Sequence, residues 1–206
     1  MSLFITFEGG EGSGKSSALR LIAERLEKEG IPYILTREPG GTPIAESIRN
    51  VILDRNNVAM DSRTEALLYA ASRRQHLVEK VWPALKEGKI VLCDRYLDSS
   101  LAYQGGARGL GIDKILEVNS FATEGTFPDL TLFFDIEPEL GLARIAANVN
   151  REVNRLDLEK MDFHRGVRKT FQELAARFKE RYVTIDASKP LEEVVDDAYA
   201  AIKSRL

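Results

Sequence analysis

Cysteine is almost missing from this chain. Its one thiol, Cys93, lies in the apolar run Ile90-Val91-Leu92-Cys93, so no intrachain disulfide can form and a small core residue is expected there. Histidine is nearly as scarce. His76 and His164 fall in helical patterns with no identifiable partner, and no role is assigned to either. No cluster with metal-ligand spacing, Ser/His/Asp arrangement or Cys/His pair stands out, which excludes the common hydrolase and zinc-enzyme patterns. There is no basic-apolar leader and no apolar run long enough to span a bilayer, so a reducing, cytoplasmic setting without a membrane partner is the expectation. Charge of one sign is lacking too. A formal net charge of −3 provides no global attraction to nucleic acid or anionic lipid, so any basic site must be local. Internal repeats, low-complexity segments and interdomain linkers are likewise not seen.

What remains is an ordinary globular composition, 44% hydrophobic and 30% charged, over 206 residues, enough for one domain with its own core. The most informative stretch is Gly9-Gly10-Glu11-Gly12-Ser13-Gly14-Lys15-Ser16. It fits G-x-x-x-x-G-K-[ST], between a strand-like run (Leu3-Phe4-Ile5-Thr6-Phe7) and a helix opening at Ser17. There the glycines let backbone N–H groups wrap phosphates, and the helix N-terminus adds partial positive charge. Lys15 is placed to reach the β- and γ-phosphates, and the Ser16 hydroxyl to ligate Mg²⁺. A bound nucleoside triphosphate follows.

Strand and helix signals alternate along the whole chain. This predicts a doubly wound, five-stranded parallel sheet with helices on both faces, a P-loop NTPase-type α/β domain spanning 1–206. The strands are expected at 3–7, 32–36, 90–94, 130–135 and 182–186. The first helix runs to about Lys28 and stops at Gly30; Thr42 and Pro43 supply the N-cap and first residue of another. A long helix is expected from about Ser62 to Glu87, kinked near Pro83. A loop and helix segment covers 98–106, and further helices cover 113–124, 138–147, about 158–181 and the end from Pro190. Between two of these, the polar stretch Asn148 to Asp157 holds neither Gly nor Pro and reads as a lid (about 148–158) or a helix junction.

In such a sheet ligands bind beyond the carboxyl ends of the strands. Those ends present Glu8 to Ser16, Arg37-Glu38-Pro39, Asp94-Arg95-Tyr96 and Asp186-Ala187-Ser188. Asp94 ends an apolar strand, where an acid caps a helix or, beside a P-loop, holds Mg²⁺; the P-loop favours the metal. Arg95 can grip a phosphate with two N–H groups or form a surface ion pair. Arg37 and Arg49 could share the acceptor side. Tyr69 and Arg73, at i,i+4 spacing on one helix face, are either an aromatic plate and a planar donor for a base, or a packed tyrosine and a solvated arginine. Arg151 and Arg155 share a face if helical, as lid arginines over the transferring phosphoryl group or as a solvated basic helix.

Taken together, these residues resemble thymidylate kinase (dTMP kinase) of the bacterial type. The resemblance rests on Phe7-Glu8-Gly9-Gly10-Glu11-Gly12-Ser13-Gly14-Lys15-Ser16-Ser17, on Thr36-Arg37-Glu38-Pro39-Gly40-Gly41-Thr42, and on Ala70-Ala71-Ser72-Arg73-Arg74. Above all it rests on Asp94-Arg95-Tyr96-Leu97-Asp98-Ser99-Ser100-Leu101-Ala102-Tyr103-Gln104-Gly105, extended by Pro128-Asp129-Leu130-Thr131 and Asn154-Arg155-Leu156-Asp157. It covers essentially the whole chain in order. It implies ATP- and Mg²⁺-dependent phosphorylation of dTMP to dTDP by a homodimer, with nucleotides and not nucleic acid as partners. It also implies Arg95 on the acceptor phosphate with Arg37, Glu38 and Arg49 nearby, Tyr69 stacked on thymine where the family usually has Phe, and Arg73 hydrogen-bonded to the base. Glu11 would lie near the sugar 3′-hydroxyl, and Ser99, Ser100, Tyr103 and Gln104 would line the pocket, Tyr103 crowding out a ribose 2′-hydroxyl. ATP would lie on residues 9–17. Two departures stand out. Gly12 occupies a position where some members carry an arginine, which shifts the catalytic arginine to Arg151 or Arg155 in the lid, and Ser16-Ser17 replaces Thr-Thr.

Two other readings use the same scaffold: a kinase for a different monophosphate, and a nucleotide-dependent switch. The lack of an Asn-Lys-x-Asp guanine reader and of an Asp-x-x-Gly switch argues against a GTPase.

Overall fold

In the computed structural model, which describes residues 2–147 and 155–206, five strands form one parallel sheet in the order β2-β3-β1-β4-β5. They are β1 (Leu3–Glu8), β2 (Tyr33–Arg37), β3 (Ile90–Asp94), β4 (Leu130–Asp135) and β5 (Tyr182–Asp186). The register pairs Phe7 of β1 with Asp94 of β3 and with Leu132 of β4. The P-loop and the Asp94-Arg95 corner therefore leave the sheet side by side.

Alternation along the strands divides the core. Ile5, Phe7, Leu92, Leu132 and Phe134 face one side, against α1 (Lys15–Lys28) and α9 (Leu191–Lys203). Phe4, Val91, Cys93 and Phe133 face the other, against elements that include α8 (Met161–Arg177). Both faces are apolar, as a covered parallel sheet requires. One polar anchor crosses the second layer. Arg181 donates to both oxygens of the fully buried Asp98, at 2.6 and 2.7 Å, and ties α5 (Leu97–Ser100) to the foot of β5.

Several helix expectations need correction. Thr42 stands at the N-cap of α2 (Pro43–Leu53), but its hydroxyl makes no capping bond and is buried with no hydrogen-bond partner among the described residues. Glu46 instead accepts the Gly41 N–H at 2.7 Å, which ties the helix to the turn before it. The long helix is broken into α3 (Ser62–His76), a π-helical turn at Leu77–Val81, and α4 (Trp82–Lys86). The wider turn, in which the Trp82 N–H reaches back to the Leu77 carbonyl, comes just before Pro83, which has no N–H to offer an α-helical ladder. A second π-helical turn, Leu101–Ala107, follows α5 and leads to α6 (Ile112–Thr123); α7 (Pro138–Ala146) follows β4. Helix α8 ends at Arg177, before the expected Arg181, which frees Arg181 for Asp98. Most of the expected lid, including Arg151, lies outside the described residues; its last part is a 3₁₀ turn at Arg155–Leu158.

Candidate active site

The P-loop closes on itself. Lys15 is buried and donates to the carbonyls of Gly9 (3.1 Å) and Gly10 (2.8 Å) and to the Ser13 hydroxyl (3.1 Å). Burial, reinforced by the nearby Arg95 charge, pushes its ammonium down to about 8. Gly12 sits at φ +69, and a Cβ there would lie 2.0 Å from the Gly141 carbonyl oxygen of α7. Gly141 returns the constraint, since its own Cβ would lie 2.3 Å from the Glu11 carbonyl oxygen. The loop and α7 meet backbone to backbone, so no side chain, arginine included, fits at position 12 in this arrangement.

The Ser16 hydroxyl donates to Asp94 Oδ2 at 2.5 Å across the crevice. These two hard oxygen donors next to Lys15 fit Mg²⁺, with the remaining positions left to phosphate oxygens and water. Among the described residues no group of three or more His, Cys, Asp or Glu could hold a metal by itself, so the protein offers this ion a partial site, not a cage.

Arg95 is held in the left-handed region at φ 68. Its guanidinium donates to Gly9 O (2.9 Å), Ser99 Oγ (3.2 Å) and Glu11 Oε1 (2.7 Å) and lies over the Tyr103 ring, 5.1 Å from its centroid. Tyr103 also donates to Glu11 Oε1, at 2.9 Å. Below this corner, the fully buried Glu8 accepts the Tyr96 N–H (2.7 Å) and the Ser99 hydroxyl (2.6 Å). Burial first, then the neighbouring Asp98 charge, raises the Glu8 carboxyl to about 7.

Arg37 and Arg49 lie together on the cavity wall, both tied to the 38–41 turn. Arg37 pairs with Glu46 at 2.8 Å, and both Arg37 and Arg49 donate to the Pro39 carbonyl. Arg73 is not solvated. It is 1% exposed and donates to Glu38, Asn119, the Tyr96 carbonyl and Ser100. His76, which had no visible partner in the sequence, bonds both Thr36 and Glu38. Tyr69 is packed, and burial pushes its phenol up to about 12.

Arg155 is not drawn to the P-loop. Its described partners are the Ile52 carbonyl (3.0 Å), the Met60 sulfur (4.0 Å) and the buried carboxylate of Glu65. Gln104 (2.8 Å) and Arg108 (3.3 and 3.4 Å) donate to the same carboxylate. Burial pushes Glu65 up, but the bonds from Arg155 and Gln104 outweigh it and hold the group below the usual carboxylate range.

One cavity of about 720 Å³ runs across all of this. Glu11 to Ser17, Arg37, Glu38, Arg49, Tyr69, Arg73, Asp94, Arg95, Ser99, Ser100, Tyr103 and Gln104 line it. Gly9 and Gly10 stand behind the wall, with their carbonyls on Lys15. The cavity continues to an end that received no role from the sequence, formed by Arg144, Ala187, Lys189 and Leu191. Arg144 donates there to the carbonyls of Ala187 (2.8 Å) and Ser188 (3.3 Å). The strand-end rule did point to Ala187 and Ser188, but Arg144 and Lys189 carried no signal beyond ordinary helix and turn chemistry.

A family model described as thymidylate kinase matches residues 7–198. Thymidylate kinase from Bacillus velezensis is 61% identical over 204 residues, 99% of this chain and 96% of that protein. The one from Clostridium novyi is 56% identical, covering 97% of this chain and 98% of that protein. A crystal structure of thymidylate kinase from Ehrlichia chaffeensis superposes with a TM-score of 0.79 at 33% identity, covering 98% of both chains. The chain belongs to the thymidylate kinase family, ATP-dependent nucleoside monophosphate kinases that convert dTMP to dTDP.

Proposed function

We propose that both nucleotides occupy the one cavity, their phosphates meeting over Lys15 and Arg95, and that the whole chain acts as a single kinase domain. The observation that carries this is continuity. A single space extends from the buried Arg73 past the P-loop to the turn after β5. In this reading thymine lies between Tyr69 and Arg73, Gln104 and Ser100 complete its pocket, and the sugar meets Glu11 and Tyr103. Arg95, with Arg37 and Arg49 beside it, takes the acceptor phosphate. The triphosphate lies on residues 11–17, and its base lies near Arg144 and Leu191.

The acceptor oxygen needs no general base, because a monophosphate near neutral pH already carries roughly −1.5 to −2 charges. The barrier is bringing two polyanions into line. Unit charges 4 Å apart repel by about 4 kcal/mol at an effective dielectric near 20. Lys15 and Arg95 oppose that term and hold the two phosphates in register, so catalysis is positioning and charge neutralisation. Ser16 and Asp94 would hold Mg²⁺, which when bound neutralises charge on the donor phosphates. Arg151 remains the candidate for a lid arginine, while the Glu65 pairing of Arg155 favours a supporting role.

A homodimer is also proposed. Leu67 on α3 and Phe121 on the neighbouring α6 are 58% and 90% exposed, large apolar side chains that a second copy would cover. A cytoplasmic setting agrees with the buried free Cys93, and no described helix is long and apolar enough to cross a membrane.

The test is ADP release from ATP and Mg²⁺ with dTMP, dUMP, dCMP, dGMP, AMP and UMP offered separately. Strong turnover with dTMP, less with dUMP and little elsewhere is the expected result. Equal ADP without any acceptor would remove the acceptor site, and a different preferred monophosphate would overturn the assignment of Tyr69 and Arg73.

A further inference from the structure

An arginine has five N–H donors in a rigid plane. Four of those on Arg73 have acceptors among the described residues: Nε to Glu38 Oε2 (2.8 Å), one on Nη1 to Asn119 Oδ1, and Nη2 to the Tyr96 carbonyl (3.0 Å) and Ser100 Oγ (3.2 Å). One N–H on Nη1 is left over, and Arg73 lines the cavity. The direction of that last donor is set by how the other four are held.

The Nε anchor depends on Glu38, and Glu38 depends on His76. The Glu38 side chain is 2% exposed, and its carboxylate is held at both oxygens, Oε2 by Arg73 and Oε1 by His76 Nδ1 at 2.9 Å. The His76 ring is fully buried, and its Nε2 meets Thr36 Oγ1 of β2 at 2.6 Å. It also lies against the turn after Glu38, where a Cβ on Gly41 would come within 2.9 Å of the ring. Ser72, the residue before Arg73, accepts the Gly40 N–H at 3.1 Å. Three side chains of one helix, Ser72, Arg73 and His76, thus hold the whole 38–41 turn. A histidine that merely filled space would not have both ring nitrogens on polar partners, one of them the carboxylate that aims a cavity-lining arginine.

We propose that His76 is a positioning residue for acceptor-base recognition: through Glu38 it sets the plane of Arg73, and so the one N–H that Arg73 has left for a carbonyl on the acceptor base. This rests on the thymine assignment above. Thr36 acts at the far end of the same chain of bonds. A base carrying an amino group where thymine has its carbonyl oxygen meets that donor with another donor, so the arrangement bears on the choice between dTMP and dCMP.

The experiment is steady-state kinetics with dTMP and dCMP on His76→Gln, His76→Asn and Thr36→Val. Gln can reach Thr36 but loses the donor at the Nδ1 position, whereas the Asn amide nitrogen overlays Nδ1 and keeps the bond to Glu38. His76→Gln is expected to raise the dTMP KM about tenfold and to narrow the dTMP/dCMP preference by a similar factor, with the ATP KM unchanged. His76→Asn should restore both to within about threefold of wild type, and Thr36→Val should shift the dTMP KM about threefold in the same direction as His76→Gln. If His76→Gln does not fold, the Asn and Val variants carry the test. An unchanged dTMP KM in Thr36→Val, equal damage from Asn and Gln, or a parallel rise in the ATP KM would overturn the proposal. Failure of the thymine assignment itself is distinguishable, because the unmutated enzyme would then not prefer dTMP.

Discussion

The two ends of the cavity are built on different principles. Around Arg73 the charges are buried and paired: Arg73 with Glu38 at side-chain exposures of 1% and 2% and, behind the wall, Arg155 with Glu65 at 8% and 1%; only at the rim does Arg37 meet Glu46 in the open, at 45% and 37%. At the other end Arg144 is exposed and Lys189 pairs with Asp197 at the surface, at 40% and 47% exposure. Breaking a buried pair leaves an uncompensated charge and is strongly destabilising, whereas an exposed pair contributes little. The end around Arg73 is therefore organised by the chain's own ion pairs, and in the proposed reading that is the acceptor end. At the other end the backbone dominates: the P-loop amides line the cavity, and Arg144 is spent on the carbonyls of Ala187 and Ser188.

The sharpest way to break the comparison is at its midpoint. Replacing Lys15 with Met should lower kcat by about 10³ and leave the acceptor KM within a few-fold, because this cation serves the transferring phosphoryl group. Near-normal turnover in that variant would take Lys15 out of the chemistry. Arg95→Ala should do the reverse, raising the dTMP KM by about 10² as a hydrogen-bonded charge is lost from the acceptor phosphate. An ATP KM that rises equally would erase the boundary between the two ends.

Arg155→Ala separates support from catalysis. Leaving Glu65 buried without its main partner should lower the unfolding free energy by about 2–3 kcal/mol in chemical denaturation, near the low end for a broken buried pair because Gln104 and Arg108 remain. A large kcat loss at unchanged stability would instead restore Arg155 to the transferring phosphoryl group.

The smallest effect belongs to Glu8. Its carboxyl is raised to about 7, so the folded chain holds that proton more tightly than the unfolded chain does. Stability from this group is complete at acidic pH and is lost as pH rises from the usual carboxylate range towards 7. Melting temperatures of wild type and Glu8→Gln, compared from pH 5 to 8, should differ in slope by the equivalent of about 2 kcal/mol. Parallel curves would show that Glu8 is ionised throughout.

Much of this molecule follows from short-range pattern. Short apolar runs placed all five strands within one or two residues, because a sheet covered on both faces demands apolar side chains at successive positions. The P-loop, Ser16 opposite Asp94, and the arginine after β3 were legible because strand ends and glycine conformations are local matters. What only the tertiary structure decided lies in contacts between distant residues: Arg73 against Glu38 and Asn119, His76 against Thr36, Arg155 against Glu65, and Gly12 against Gly141. On a helix, Arg73 and His76 read like any charged or polar side chain. Their burial follows from the 38–41 turn folding onto α3, and the exclusion of a side chain at position 12 follows from α7 packing against the P-loop. Neither packing leaves a mark in local periodicity, because a hydrogen bond or a clash depends on where two segments meet in space.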